Sequence, residues 1–220
     1  MLILGLALAA PALLGACQSS RAEMERERLL VRRRRDDNPF WPEEIYAAVP
    51  DEPFEVPAVD VSGIHPRYLR RLVDYDGPEQ PGAILVDSAR RHLFLVEPGG
   101  KAIRYGVGVG RDDATWRGRA TIQRKGEWPG WTPTPQMIRR DPERNGPWAG
   151  GMPGGPANPL GARALYLYAN GHDTLYRIHG TNEPWSIGQS VSSGCIRLIN
   201  QDIIDLHARV PVGATVNVLR

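Results

Sequence analysis

Cysteine is scarce in this 220-residue chain: only Cys17 and Cys195 occur. Two thiols make at most one bridge, which excludes a fold stapled by several disulfides. An excess of either sign of charge is missing as well. The net charge of +2 is too small to suggest a nucleic-acid partner. Long apolar runs are missing beyond the start. Met1–Ala16 is almost entirely apolar, but it is too short for an easy bilayer-spanning helix. What remains is ordinary for a globular protein, with 41% hydrophobic and 24% charged residues. The 24 glycines and 20 prolines favour a loop-rich, strand-rich architecture over a helical bundle.

The apolar run reads as the core of a secretory signal over residues 1–16. Leu14-Gly15-Ala16-Cys17 resembles the lipobox of bacterial lipoproteins, although no Lys or Arg precedes Arg21. That resemblance implies cleavage before Cys17, lipid on its thiol and a membrane anchor. Gln18 fits sorting to the outer membrane of a diderm bacterium, facing the periplasm. Cys195 is then an unpaired thiol in an oxidising compartment, and an unpaired thiol there calls for a reason.

Residues 17–42 are polar and charge-rich, with a basic run at Arg32–Arg35, and read as a flexible tether. Residues 43–81 carry many prolines and some aromatics, with a candidate helix near Pro66–Asp74. They read as an arm packed on the main domain. From residue 82 the pattern turns to strands: Ala83–Val86, His92–Val96, Ile103–Val109 and Ala120–Lys125. Trp128–Pro159, rich in Pro, Gly and Trp, reads as a long loop. Arg163–Ala169 and Leu175–His179 alternate with period two, and Asn170-Gly171 between them is a hairpin signal. Ile203, Leu206 and Val210 fit one face of a short helix after Asn200. Ala214–Leu219 closes the chain as a strand. The sum is mainly β, mostly antiparallel, with one or two short helices.

The chemistry concentrates in Ile178–Asn200. His179 ends a strand and Cys195 follows across a glycine-bearing loop. A thiol attacks carbonyls as the thiolate, and a neighbouring histidine can take its proton and later protonate a leaving amine. Gly194 lets the backbone turn tightly before the nucleophile. The amides of Gly194 and Cys195 are candidates for holding an oxyanion. A backbone carbonyl near Gly180, or less well Asp173, can orient the imidazole.

His179-Gly180-Thr181 and Ser192-Ser193-Gly194-Cys195-Ile196-Arg197, with Asn158-Pro159-Leu160-Gly161 before them, resemble the L,D-transpeptidase (YkuD-type) catalytic domain. The similarity runs over residues 82–220. It implies an L,D-transpeptidase-like β-sandwich, with Cys195 as nucleophile, His179 as base and the Gly180 carbonyl as its orienter. Gly194, Ser193 and Arg197 then support the oxyanion or the substrate. Ser193 departs from the histidine that many members carry there. The resemblance also implies the substrate, a peptidoglycan stem tetrapeptide with a diamino acid at its third position. Its acyl group passes to an amine of another stem, forming 3→3 cross-links, or to an envelope protein. No metal or organic cofactor is implied. Water as acceptor would make the same site an L,D-carboxypeptidase. A catalytically silent peptidoglycan-binding lipoprotein is the alternative of another class. Met152, Tyr168 and Trp185 are candidates to line the substrate groove. His65, His92, His172 and His207 have no motif context and read as structural. Asp202 and Asp205 read as helix-dipole partners.

Overall fold

A computed structural model describes residues 23–28, 38–50, 54–111 and 116–219. The expected signal run, Cys17 and the basic run Arg32–Arg35 lie outside the described residues. Residues 23–28 form a short exposed helical stretch within what reads as tether. No helix among the described residues is long and apolar enough to cross a membrane. The compact unit that carries the site spans Phe40–Arg220.

That unit is mainly β. Nine strands form one sheet: β1 (Arg71–Asp74), β2 (Ile84–Asp87), β3 (His92–Glu97), β4 (Lys101–Gly106), β6 (Gly118–Glu127), β7 (Arg163–Ala169), β8 (His172–His179), β10 (Ile196–Arg197) and β11 (Thr215–Leu219). Their order is β1-β4-β3-β2-β11-β6-β7-β8-β10, and β5 (Val109–Gly110) pairs separately with β9 (Ser190–Ser192). Most pairs are antiparallel, the exceptions being β2 with β11, β8 with β10, and β5 with β9. Alternation places Ile84 and Val86 of β2 and Leu93 and Leu95 of β3 in one core. Ile122, Leu165, Ile178 and Ile196 from the other half of the sheet join the same cluster. The sheet's far ends meet as well. Just after β4, Gly108 exchanges both backbone hydrogen bonds with Arg197 of β10, each 2.9 Å long. The sheet thus curls until its ends nearly close around the core.

Turn chemistry follows the sequence. Asn170 and Gly171 have φ of 51° and 78° between the paired residues Ala169 and His172, as a two-residue hairpin requires. The helix Asn200–Arg209 packs Ile203 and Leu206 into the core, with Val210 just beyond it also buried.

Three expectations change. Pro66–Asp74 is no helix; it divides into a 3₁₀ turn at Pro66–Tyr68 and the edge strand β1, because Leu72 and Val73 gain more by pairing with β4 than an isolated turn of helix offers. The long loop contains two helices, Pro135–Arg140 and Pro142–Asn145. Asp202 and Asp205 are more than dipole partners. Arg70 of the arm reaches Asp202 at 3.3 Å and Asp205 at 2.8 Å, and Tyr46 and Tyr105 donate to the two carboxylates. Tyr46, Ile64 and Tyr68 of the arm also pack with Ile187 and Ile199.

Candidate active site

The short parallel pairing of β10 with β8 builds the site. Ile196 stands opposite Ile178, and Arg197 opposite His179. One step back, Cys195 therefore flanks Arg177. Side chains alternate along strands, so Arg177, His179, Cys195 and Arg197 share one face, with the thiol and the imidazole as diagonal neighbours. Leu198 N–H continues the pairing by donating to the His179 carbonyl at 2.8 Å. Gly108 braces β10 from its other side, at a place where a Cβ would sit 2.8 Å from the Ser186 carbonyl oxygen.

The turn before the thiol is tied by its own side chain. The buried Ser192 donates its hydroxyl to the Cys195 carbonyl at 2.7 Å and accepts from Gly194 N–H at 3.1 Å. Gly194 has φ of 128°, which a side chain rarely tolerates. The Gly194 amide, expected to face an oxyanion, is engaged by Ser192 instead. Ser193 is exposed and accepts from Arg140 Nη2 at 2.7 Å.

His179 is buried, and its Nδ1 lies 2.6 Å from the Gly180 carbonyl oxygen. A carbonyl only accepts, so Nδ1 carries the proton and Nε2 keeps its lone pair. Asp173 does not orient the ring; both its oxygens accept from Arg177, at 2.7 and 2.8 Å. The Asn-Pro-Leu-Gly element supports this corner. Buried Asn158 donates to the Pro129 and Pro153 carbonyls at 3.2 and 2.9 Å and accepts from Leu160 N–H at 2.9 Å. Gly161, at φ of 65°, lies so close to Gly180 and Thr181 that a Cβ would stand 2.6 Å from the Thr181 nitrogen. Asn200 accepts from Ala162 N–H at 3.0 Å and locks the same corner.

Burial weighs against charge on either group. Burial pushes the imidazole down to about 3, and the positive charge of Arg197 adds to it against the Gly180 carbonyl. Burial pushes the thiol up, opposed by the Arg177 amide and by the charges of Arg177 and Arg197. Before substrate arrives, the arrangement favours thiol and imidazole over thiolate and imidazolium.

Two clefts open beside the thiol. The larger, about 930 Å³, holds Cys195 together with Ser193, Tyr166, Arg177, Arg140 and Leu160. The smaller, about 430 Å³, is lined by Arg111, Arg144, Arg197, Trp148 and Met152. Trp131, Met137, Arg140 and Ser193 belong to both.

Met152 thus lines the smaller cleft, held by reciprocal backbone bonds with Trp131. Tyr168 does not line the thiol cleft. A register shift between Tyr166 and Tyr168 leaves Tyr166 there, and Tyr168 faces a separate hollow with Glu79 and Arg119. Trp185 is 58% exposed on the 3₁₀ turn Pro184–Ser186, and Trp131 takes the expected cleft-lining place. Trp128 packs edge-on against Phe54 instead of facing substrate. Arg197 is paired with Glu183 at 2.9 Å, which makes it a brace. None of the four other histidines lines either cleft.

Sequence reasoning missed Arg139, Arg140 and Arg144, because it left their helices as loop. A signal existed: Thr134-Pro135 and Asp141-Pro142 each place a capping side chain before a proline. Thr134 accepts from Met137 N–H and Asp141 from Arg144 N–H, both at 3.2 Å.

Residues 81–218 match the YkuD family of L,D-transpeptidase catalytic domains. The chain belongs to this family. Among L,D-transpeptidase relatives, it is 37% identical over 139 residues to the Escherichia coli protein named "Probable L,D-transpeptidase ErfK/SrfK". It is 38% identical over 136 residues to E. coli "Probable L,D-transpeptidase YbiS". The matches take 62% and 60% of this chain and 43% of each relative, so the chain spans less than half their length. A Brucella melitensis crystal structure titled "Probable carnitine operon oxidoreductase caia" is 47% identical. That match covers 70% of this chain and 96% of that one, with a TM-score of 0.49.

Proposed function

We propose that this protein is a peptidoglycan L,D-transpeptidase working by acyl transfer through Cys195. The carrying observation is the pairing of β10 with β8, which sets Cys195 diagonal to His179, together with the His179 Nδ1 contact with the Gly180 carbonyl, which leaves Nε2 unprotonated. The substrate is a stem tetrapeptide with a diamino acid at position three. Sulfur attacks the carbonyl at the L-centre of that residue while the thiol proton passes to Nε2. The neutral resting pair makes this transfer part of the attack. The Cys195 amide stabilises the oxyanion, since Gly194 N–H is committed to Ser192. The intermediate collapses to a thioester, and the leaving D-alanine amine takes its proton from His179. An acceptor amine then attacks the thioester, gives its proton to Nε2 and releases the thiol.

The acceptor is a neighbouring stem amine, giving a 3→3 cross-link, or a lysine of an envelope protein. Both reactions belong in the periplasm, and the lipobox-like Leu14–Cys17 fits a lipid-anchored form on the outer membrane. Carbapenems acylate the same thiol in this reading.

Purified protein incubated with disaccharide tetrapeptide is expected to give dimeric muropeptide and free D-alanine. Tripeptide monomer alone would make it a carboxypeptidase. Intact mass after meropenem is expected to show one adduct on the wild type and none on a folded Cys195→Ala variant. An adduct on Cys195→Ala, or none on the wild type, would sink the assignment.

A further inference from the structure

We infer that Arg140 reads a free carboxylate on the donor peptide, making this site selective for an anionic stem. The inference rests on the transpeptidase reading above and adds the class of substrate. The larger cleft, which holds the thiol, is lined by Arg124, Arg139, Arg140 and Arg177 and by no Asp or Glu. The smaller is lined by Arg111, Arg140, Arg144 and Arg197, with Asp141 as its one carboxylate. Several of these charges are already answered. Arg177 is held by Asp173, while Arg144 and Arg197 share Glu183. Arg124 lies flat on Tyr166, 3.5 Å from the ring centroid.

Arg140 differs from all of these. It is exposed, it lines both clefts, and its one polar partner among the described residues is the neutral hydroxyl of Ser193, two positions from Cys195. Its guanidinium keeps further N–H donors free in a planar fork that suits a carboxylate. An acyl donor on Cys195 must pass beside it. Two donor groups present that chemistry close to the scissile carbonyl: the second carboxylate of the diamino acid and the terminal carboxylate of D-alanine.

The test uses the whole chain and three tetrapeptide donors: the free acid, one amidated on the diamino acid, and one amidated on the terminal D-alanine. Acyl-enzyme formation is followed by intact mass. The wild type is expected to favour the free acid over one of the amides by about tenfold to a hundredfold in kcat/KM, the range for a hydrogen bond to a charged group. Which amide is disfavoured identifies the carboxylate. In Arg140→Ala that ratio falls to within about twofold of one, and Arg140→Lys restores part of it. Arg139→Ala, on the same helix, keeps the ratio and so separates a specific contact from the general field. Equal rates on all three donors in the wild type would overturn the inference. So would a uniform loss in Arg140→Ala, or an Arg139→Ala variant that behaves like Arg140→Ala. Absence of acyl-enzyme with every donor would instead strike the transpeptidase reading itself.

Discussion

Two arginine-rich regions of this molecule handle charge in opposite ways. Behind the helix Asn200–Arg209, Arg70 is buried and every charge finds an answer: Asp202 and Asp205 hold its guanidinium, and Tyr46, Tyr105 and Arg209 hold the carboxylates. Around Cys195, guanidiniums face open clefts, and Arg139 and Arg140 meet no carboxylate among the described residues. Charge answered internally joins the arm to the domain. Charge left facing a cleft is available to a ligand. Burial acts on both regions, raising Asp202 to about 7 against Arg70 and holding His179 at about 3. In the first region every partner sits in the fold; in the second Arg177, Arg144 and Arg197 are paired there, while Arg139 and Arg140 are not paired with a carboxylate among the described residues.

Removing the base should have the largest effect. His179→Ala is expected to lower thioester formation by about a hundredfold to ten-thousandfold, the range for a general base, with the far-ultraviolet spectrum unchanged. A smaller loss would mean that another group takes the thiol proton. Next comes the answered cluster. Arg70→Met leaves the fully buried Asp202 without its cation, while Asp205 keeps Arg209, and is expected to cost about 3–5 kcal/mol in urea unfolding. A cost below about 1 kcal/mol would show that the cluster is not what holds the arm.

The pH dependence of the thiol comes third. Burial raises the Cys195 pKa and lowers that of His179, which disfavours the thiolate in the free protein. Alkylation by iodoacetamide should therefore keep rising with pH through and beyond the ordinary thiol range. A plateau below pH 7 would reveal a standing thiolate–imidazolium pair and undo the neutral resting state. Arg144→Ala should have the smallest effect. Its 62%-exposed pairing with Glu183 is expected to contribute less than about 1 kcal/mol to stability. An effect as large as that of Arg70→Met would erase the contrast between the two regions.

The sequence made most strands and the motifs around His179 and Cys195 legible. Short apolar runs bounded by turn residues marked β2 and β3, period-two alternation marked β7 and β8, and Asn170-Gly171 marked the β7–β8 hairpin, because these signals act locally. The motifs around His179 and Cys195 led to the family now matched over residues 81–218. Less legible were features created by distant approach. Gly161 must be glycine because Gly180 and Thr181 come against it, and Gly194 N–H is lost to an oxyanion because Ser192 turns back on it. Tyr166 and Tyr168 share one alternation pattern, yet a register shift sends them to different hollows.

The residues by themselves determined that an imidazole ends one strand and a thiol precedes another short apolar run in a mainly β chain. Tertiary structure decided that the two strands run parallel and that burial weighs against charge on either group. It also decided that Arg140, from a stretch with no periodicity, lines the same cleft as Cys195. Local patterns encode what a segment becomes, whereas burial and charge pairing depend on which segments meet.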